Sequence, residues 1–474
     1  MRMRKLCGVI VAWMLVALLP VGVASQMPTI HLDVERYELP NGLRVILAPD
    51  STTVMAGLHL WYGVGSRDEP SGQMGFAHLF EHVMFGGSQH APAGEYERLI
   101  RQGGGWSNGF TNHDATGYFV SVLANHLEQV LWLEADRMGF LISSLDSARF
   151  LADREVVKNE RRGIVDAPYG RMHEIMLWAM YGASHPHGWF PAGYMPDLDA
   201  ASLDDIRAFH RTWYGPANAT LAIAGGFDPA VVRSQIARWF GDLTGPEAVR
   251  RVAVPSAPLR AERHLVYEEN VAAPRLAVYW PSSALGTPDD AALATLAAVL
   301  AQTGYSRLTR VLVQERQLAS RVTVSQSGWQ HTGEFKLTAE PAPGQTLAAI
   351  LAVVDSLMAD VAAHGPTAEE VEMVRATLMT TWVAGLSAAD ERAYRLIQGS
   401  VQAEDPEHYA TYLRRLHEMT PAQVRDAARR HLGSRRVVLS VVPTGKPELS
   451  AHPGTSARVR IAADGRGYDI TEVP

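Results

Sequence analysis

The chain has 474 residues, 47% of them hydrophobic and 20% charged, with 40 Gly and 27 Pro, a composition that supports a sizeable core and excludes a coiled coil or a wholly disordered chain. The net charge of −7 provides no basic surface for the counterion release on which nucleic-acid binding depends, and so argues against nucleic acid as a partner. The single Cys excludes a disulfide framework and a Cys-rich metal site, which leaves His and carboxylate side chains as metal ligands.

The N-terminal segment 1–25 has the layout of a secretory signal peptide. Three basic residues at its start precede an apolar run over 6–19, and the small residues that follow place the predicted cleavage near Ala24 or Ser25. Cleavage removes three positive charges and Cys7, so the net charge of −7 becomes −10 in a mature chain without Cys. The sequence therefore predicts a periplasmic or secreted protein with no stable membrane span after cleavage; a retained membrane anchor is the alternative.

Strands come first in the mature chain. Residues 43–48 follow a Pro-Asn-Gly turn, and residues 54–62 are β-branched and aromatic with rough alternation, so both segments are predicted strands. Helices are predicted next, because apolar residues recur at three- and four-residue spacing. These helices span 76–85, 95–101, 127–141 and 147–163.

The chain contains an internal repeat. Residues 202–225 and 420–443 align without a gap at a constant offset of 218, and both read as a capped helix, a glycine turn and an apolar strand. Residues 246–262 contain three Pro and no periodic pattern, which is typical of a linker. The sequence therefore predicts two copies of one α+β domain rather than an all-helical or doubly wound fold.

The strongest chemical signal is the motif His-Leu-Phe-Glu-His over 78–82, in the predicted helix 76–85. At about 100° per residue, Glu81 lies near 300° and His82 near 40° from His78, so the three side chains share one face. Two imidazoles one turn apart can hold one zinc ion, and the intervening carboxylate points at the ion's open position without ligating it. Two histidines and an acid on a helix surface, with no metal, are the alternative.

A catalytic zinc needs a third protein ligand. The predicted helix over 147–163 contains Asp153, Glu155 and Glu160. Asp153 and Glu160 are seven residues apart and share a face, whereas Glu155 lies about 140° from Glu160. One face can therefore supply both a ligand and a supporting carboxylate; three solvated surface charges are the alternative.

Seven stretches together resemble the zinc metallopeptidases of the pitrilysin, insulysin and mitochondrial processing peptidase type, the inverzincins, whose His-x-x-Glu-His inverts the common zincin motif. They read GSRDEP (65–70), GFAHLFEHVMFGGS (75–88), GGGWSNGFTNHDATGYF (103–119), LEADRM (133–138), DREVVKNERR (153–162), SHPHGW (184–189) and GGFDP (225–229). The resemblance runs from about residue 31 to about residue 443. It implies an α+β fold of two homologous domains, each a mainly antiparallel sheet with helices, that face each other across a cavity.

The resemblance also implies one Zn²⁺ per chain, with His78, His82 and Glu160 as its ligands and Glu81 as the catalytic base. Asp153 stands where the family usually has a second Glu, and its shorter side chain is expected to need a bridging water for its outer hydrogen bond and to lower activity. The second half has no His-x-x-Glu-His, so only the first domain is expected to hold metal. The predicted boundaries are a signal peptide 1–25, an N-terminal zinc-bearing peptidase domain 26–245, a linker 246–262, a homologous metal-free domain 263–445 and a tail 446–474.

Substrate binding is predicted at the segment that matches the family's Asn-Ala-x-Thr, which is similar to an edge strand that pairs with extended peptide. Here the segment begins with Asn108, Gly109 and Phe110, and the glycine keeps the close backbone approach that strand addition requires. His113 near this segment and His187, where the family often has Tyr, are interpreted as structural or surface residues rather than ligands.

A partner subunit is predicted from a missing pair. Members that work as one polypeptide or as identical subunits usually carry, in the second domain, an Arg and a Tyr seven residues apart that bind the substrate backbone. The matching positions here are Val313 and Ser320, and neither side chain can do this. The resemblance therefore implies a homologous second subunit that carries the Arg/Tyr pair; replacement by Arg316 or Arg321 after a small shift is the alternative.

The function predicted from the sequence is a zinc-dependent metalloendopeptidase that hydrolyses peptides or unfolded segments, with Glu81 as general base. A catalytically weak or inactive structural subunit of the same fold is the alternative, and a zinc-carrying binding protein is a third, weaker one. All of the residues of the His-x-x-Glu-His motif are present, which favours the enzyme.

Overall fold

The computed structural model describes residues 30–246, 249, 251 and 253–472, so the predicted signal peptide lies outside the described residues. The strands are β1 (Glu35–Glu38), β2 (Arg44–Pro49), β3 (Met55–Tyr62), β4 (Trp106–Thr111), β5 (Thr116–Leu123), β6 (Ala219–Gly225), β7 (Arg263–Glu269), β8 (Arg275–Ser282), β9 (Ala319–Gly328), β10 (Gly333–Pro341), β11 (Val437–Pro443), β12 (Ala457–Ile461) and β13 (Tyr468–Thr471). The helices are α1 (Phe76–Val83), α2 (Glu95–Gln102), α3 (Leu127–Ser144), α4 (Ser147–Asp166), α5 (Met172–Tyr181), α6 (Met195–Ala200), α7 (Leu203–Trp213), α8 (Pro229–Phe240), α9 (Pro288–Ala301), α10 (Leu347–His364), α11 (Ala368–Ser387), α12 (Ala389–Val401), α13 (His408–His417) and α14 (Pro421–His431).

The strands form two sheets with the same internal order. The first sheet is β1-β2-β6-β3-β5-β4 and the second is β13-β12-β7-β11-β8-β10-β9. β6 is parallel to β2 and antiparallel to β3, just as β11 is parallel to β7 and antiparallel to β8. Five strands of each half therefore repeat one arrangement, and the predicted α+β fold of two homologous domains is confirmed.

The repeat found in the sequence is also exact in the structure. α7 with β6 and α14 with β11 have the same bounds once the sequence offset of the repeat is applied. Each helix begins with a capping box, Ser202 with Asp205 and Thr420 with Gln423, which satisfies the first free backbone N–H groups of the helix. The two strands are almost entirely buried, as an apolar run in the middle of a sheet requires.

The early strand pair and the four predicted helices are all present as β2, β3, α1, α2, α3 and α4. The motif helix α1 ends at Val83, two residues before its predicted end. Gly87 follows with a φ of 100°, a left-handed conformation that favours Gly, and the chain turns away there. The predicted linker, 246–262, contains no helix or strand in the part that is described.

Each half also covers the sheet of the other half. α12 from the second half packs against β3 and β6, while α5 from the first half packs against β11 and β8. A Cβ at Gly57 would lie 2.5 Å from the backbone of Asp390, so α12 sits directly on β3. His59 Nε2 lies 3.1 Å from the Asp390 carboxylate at the same contact. The two halves are therefore interlocked, and the described residues from Leu32 onwards form one compact unit.

Two further segments belong to the second half. The residues set apart as a tail, 446–474, contribute β12 and β13, which join the second sheet beside β7. α10 is, by length and composition, apolar enough to cross a membrane. Seven of its side chains are buried in the core of the second half, which accounts for its hydropathy in a globular domain.

Candidate metal centre

The two histidines of the His-x-x-Glu-His motif lie on the outward face of α1 because the apolar face of this helix is buried in the core. Phe76, Leu79, Phe80 and Val83 are at most 1% exposed and pack in the hydrophobic core of the first half. The opposite face is left to the polar residues. The rings of His78 and His82 lie one turn apart on it, with centroids 4.9 Å apart and nearly perpendicular planes.

α4 brings a carboxylate to these two rings. Nε2 of His82 lies 3.1 Å from one Glu160 oxygen, and Nε2 of His78 lies 3.8 Å from the other. The three ligand atoms all lie within 4.8 Å of one another. Ligand atoms held about 2.1 Å from a tetrahedral zinc ion would be roughly 3.4 Å apart, so this spacing and the two-His, one-carboxylate donor set fit zinc.

The protonation states also suit a metal. Burial lowers the pKa of His78 to about 4, and the neighbouring His82 acts in the same direction. The His78 imidazole is therefore neutral at ordinary pH, which is the form that binds metal. Glu155, the other acid considered as a ligand, instead pairs with Lys158 at 2.7 Å and lies outside the cluster.

Glu81 lies beside this cluster and is 9% exposed. Burial, with a smaller contribution from the charge of Glu160, raises the pKa of Glu81 to about 7, while a hydrogen bond from Thr111 opposes the rise. Thr111 Oγ1 donates to Glu81 at 2.7 Å. A carboxylate with a pKa near neutrality is suited to take up and release a proton. Thr111 belongs to the Asn-Ala-x-Thr-like segment, and its contact with Glu81 was not predicted from the sequence.

The strand β4, which carries this segment, is the edge of the first sheet. A Cβ at Gly109 would lie 3.0 Å from a Glu81 oxygen, so the glycine permits the close approach of β4 to α1. Asn108 is exposed, and its side-chain oxygen accepts a hydrogen bond from the Gly109 N–H. The Phe110 ring packs edge-on against Trp61. Among the described residues, no strand pairs with the outer side of β4, which can therefore take an extended chain next to Glu81.

Asp153, the predicted supporting carboxylate, lies near His82 but no hydrogen bond joins the two in the described structure. Its closest charged partner is Arg149, with 3.8 Å between Arg149 Nε and the carboxylate. Burial raises the pKa of Asp153, whereas Arg149 and His82 oppose the rise. Arg149 also donates to the Val83 carbonyl at 2.7 Å, and so connects α4 to the C-terminal end of α1.

The N-terminal end of α1 is held by Glu69, whose role was not predicted from the sequence. The buried Glu69 carboxylate accepts hydrogen bonds from the N–H groups of Gly75, Ala77 and the Trp189 indole at 2.8–3.0 Å. Burial raises the pKa of Glu69 to about 8, and these three hydrogen bonds oppose the rise. A carboxylate in this position satisfies free N–H groups of the helix and complements its dipole.

A cavity of about 370 Å³ opens in front of the cluster. Its lining includes His78, Glu81 and Glu160 on one side, with Phe190 and Trp329 among the apolar residues of its other walls. Trp329 belongs to the second half, and the other residues that line the cavity belong to the first. The volume is enough for side chains of a short peptide segment.

The residues at the positions of the family's Arg/Tyr pair do not line this cavity. Val313 lies on a π-helical segment, half-buried against the second core, and the exposed Ser320 donates to the Glu340 carbonyl at 3.3 Å. Arg316 and Arg321 are both exposed. His113 and His187 are at most 1% exposed and lie with their ring centroids 4.7 Å apart, inside the fold.

Two family profiles match the chain. The profile described as "Insulinase (Peptidase family M16)" matches residues 44–185, and the one described as "Peptidase M16 inactive domain" matches residues 200–378. A Helicobacter pylori protein named zinc protease PqqE is 28% identical over 367 residues, which are 76% of this chain and 81% of that protein.

Two solved structures are similar over most of the chain. A protease from Helicobacter pylori superposes with a TM-score of 0.80 at 25% identity, over 87% of this chain and 100% of the other. The periplasmic protease PqqL from Escherichia coli has the same fold, with a TM-score of 0.70 at 20% identity. That match covers 87% of this chain and 48% of PqqL, so the chain corresponds to about half of PqqL.

Proposed function

We propose that this chain, which belongs to the insulinase family of peptidases, is a zinc-dependent endopeptidase that hydrolyses peptides or unfolded segments. The observation that carries the proposal is the convergence of His78, His82 and Glu160 within 4.8 Å of one another beside the buried Glu81. Relatives named zinc proteases support the metal and the reaction class.

One zinc ion per chain would be held by His78, His82 and Glu160. Bound there, zinc supplies Lewis acidity, which polarises a scissile carbonyl and lowers the pKa of a water from about 15.7 towards roughly 7. Glu81, a buried carboxylate beside the ligand set, takes the proton of the attacking water and passes it to the leaving amine. Thr111 holds the Glu81 carboxylate in place through its hydrogen bond. Asp153 lies near His82 outside the ligand set and would support it only through a bridging water, since no direct hydrogen bond joins the two.

The substrate would bind as an extra strand on β4. Its backbone would pair with the free edge at Asn108, Gly109 and Phe110, which lies along the cavity and beside Glu81. Strand addition uses main-chain hydrogen bonds, so it favours extended or unfolded segments over folded proteins. Val313 and Ser320 provide no further hydrogen bonds to the substrate backbone.

A homologous second subunit that carries the Arg/Tyr pair would provide these contacts to the substrate backbone. PqqL, of which this chain spans about half, shows that this fold occurs with a further half in the same polypeptide. We place the mature protein in the periplasm or outside the cell, since residues 1–25 have the pattern of a signal peptide and PqqL is described as periplasmic.

A weak or inactive subunit of the same fold is the second candidate. The observations that favour it are the missing Arg/Tyr pair and the Asp at position 153. Intact metal ligands and a buried base favour the enzyme.

The experiment is a peptidase assay on the purified mature chain, with extended fluorogenic peptides, alone and with a co-expressed homologue that carries the pair. Activity lost on chelation and restored by zinc supports the proposal. Zinc-loaded protein that cleaves no peptide in either setting supports the inactive subunit. Full activity of the chain alone, not raised by the homologue, would remove the need for a partner.

A further inference from the structure

The β9–β10 turn of the metal-free half reaches the catalytic half through Gln330. Its backbone N–H donates to one oxygen of Asp114 at 2.8 Å, and its side-chain oxygen accepts from Arg67 at 2.6 Å. The side-chain amide also donates to Glu404 at 2.7 Å, near the surface. The neighbouring residue, Trp329, packs edge-on against His113.

The partners of Gln330 form a buried ion pair. Arg67 donates to the second oxygen of Asp114 at 2.7 Å, and the two residues are 3% and 2% exposed. Burial raises the pKa of Asp114, and the nearby Arg67 and the Gln330 N–H oppose the rise. An unmade hydrogen bond is costly at a buried ion pair, and Gln330 supplies one hydrogen bond to each partner of this pair.

This ion pair fixes the end of the edge strand β4. The backbone N–H groups of Ser66 and Arg67 donate to the carbonyls of Asn112 and His113, directly after β4. A Cβ at Gly65 would lie 2.4 Å from the Asn112 carbonyl oxygen, so the two loops are in close contact. Thr111, the last residue of β4, is the one that hydrogen-bonds Glu81.

We infer that Gln330 is a positioning residue of the active site: through Arg67 and Asp114, the metal-free half holds the end of β4, and with it Thr111 and Glu81. The inference rests on the proposed peptidase function for its kinetic consequence, but not for the structural one. It gives the second half a task in catalysis that requires no metal. A displacement of about 1 Å at a catalytic group can cost up to about 100-fold in rate, so small movements of β4 matter.

The test compares Gln330→Leu, which removes the acceptor for Arg67, with the double variant Gln330→Glu/Glu404→Gln, which keeps that acceptor and reverses the hydrogen bond to position 404. Gln326→Leu is the matched control. Gln326 lies on β9, shortly before the turn, and its hydrogen bonds go to Ser282, Ser283 and Asp290, all within the second half. The Gln326→Leu variant therefore loses a comparable set of side-chain hydrogen bonds, none of which involves the first half.

Two readouts are measured on each purified zinc-loaded chain: hydrogen exchange of the peptide over 106–118, and kcat and KM with an extended peptide. Gln330→Leu is expected to speed exchange in that peptide at least about tenfold and to lower kcat about tenfold, with zinc content unchanged. The double variant Gln330→Glu/Glu404→Gln should recover most of both, and Gln326→Leu should change neither.

Unchanged exchange over 106–118 in Gln330→Leu would overturn the inference, as would equal effects of Gln330→Leu and Gln326→Leu. If the wild-type chain proves to have no peptidase activity, the proposed function fails. The exchange measurement then still decides whether Gln330 fixes β4.

Discussion

The two halves repeat one strand order but differ in what joins two corresponding helices. In the first half, α1 and α4 meet through His78, His82 and Glu160. In the second half, α9 and α11 meet through an apolar cluster of Ala298, Val299, Val374 and Leu378. The fold therefore does not need polar residues at this contact. Their presence in the first half is explained by chemistry, since a cluster of imidazoles and a carboxylate stabilises less than apolar packing.

The sequence offset supports this comparison. Leu378 is related to Glu160 by the same offset that relates the repeated helix and strand units. In the same way, Val371 corresponds to Asp153 and is 1% exposed in the second core. An acidic pair on one helix face thus corresponds to an apolar pair on the other. Matching positions of the two helices therefore lie at matching helix contacts but carry different chemistry.

The largest expected effect comes from removing the base of the first half. Glu81→Gln keeps the size of the side chain and the hydrogen bond to Thr111 but cannot take up a proton. We expect kcat to fall about 10²- to 10⁴-fold while zinc content stays at the wild-type value. Steady-state kinetics and metal analysis on the same preparation check this. A variant that keeps zinc and wild-type turnover would show that another group is the base.

The next largest effect is expected at the apolar contact between α9 and α11 in the second half. Val374→Ala leaves a small cavity between α9 and α11, where Val374 is 4% exposed. We expect a loss of about 2 kcal/mol in the free energy of unfolding, with zinc content unchanged. Urea unfolding and metal analysis are the measurements. Loss of zinc in this variant would mean that the contact in the second half is coupled to the metal centre.

One buried histidine in each half is expected to make stability depend on pH. Burial lowers the pKa of both His113 and His408 to about 4. An unfolded His has a pKa near 6.5, so between about pH 6.5 and 4 the unfolded chain binds more protons. The stability that each neutral ring contributes is complete above about pH 6.5 and is lost as the pH falls towards 4.

We therefore expect His113→Asn to reduce the acid dependence of unfolding free energy by up to about 1.4 kcal/mol per pH unit in that window. Asn retains a hydrogen-bonding group for Ser66, which lies 2.9 Å from His113 Nδ1. Urea unfolding between pH 4 and 7 is the measurement. His408→Asn should give a similar change if the interlocked halves unfold together, whereas a change from only one variant would mean that the halves unfold separately.

The smallest effect separates helix capping from metal binding. Glu69→Gln replaces one of the two acceptor oxygens at the start of α1 with an NH2 group and so loses at least one hydrogen bond, and we expect a loss of about 1 kcal/mol in stability with a few-fold weaker zinc affinity. Thr287→Ala removes the corresponding cap of α9, whose hydroxyl accepts from the Asp290 N–H. It should cost a similar amount of stability and leave zinc affinity unchanged. Thermal unfolding and zinc titration compare the two; equal zinc affinities would limit Glu69 to a structural role.

The sequence predicted those site residues that lie close together because of their spacing along one helix. His78, Glu81 and His82 share a face because the helical repeat places them there, and the internal repeat anticipated the shared sheet order. Geometry alone placed Asp153 and Glu160 on one helix face, away from Glu155, as a ligand and a supporting carboxylate. In the structure this face of α4 packs on α1, with Glu160 at the two imidazoles and Asp153 beside Arg149.

Contacts between distant segments could not be predicted in this way. Thr111 reaches Glu81, Glu69 caps α1, and Arg149 holds Val83, and each pair joins elements whose relative position depends on the whole fold. The packing of α5 and α12 on each other's sheets is of the same kind. Periodicity shows that a helix has a buried face, but it does not show which sheet that face covers.

The central claim is that one zinc ion binds per chain, in the first half only. Metal content is measured by elemental analysis on the zinc-loaded and dialysed wild type, on His82→Ala, and on His90→Ala as a control. His90 pairs with Asp136 outside the ligand cluster. We expect one zinc per chain in the wild type and in His90→Ala, and almost none in His82→Ala. Zinc that remains in His82→Ala, or two ions per wild-type chain, would contradict the account.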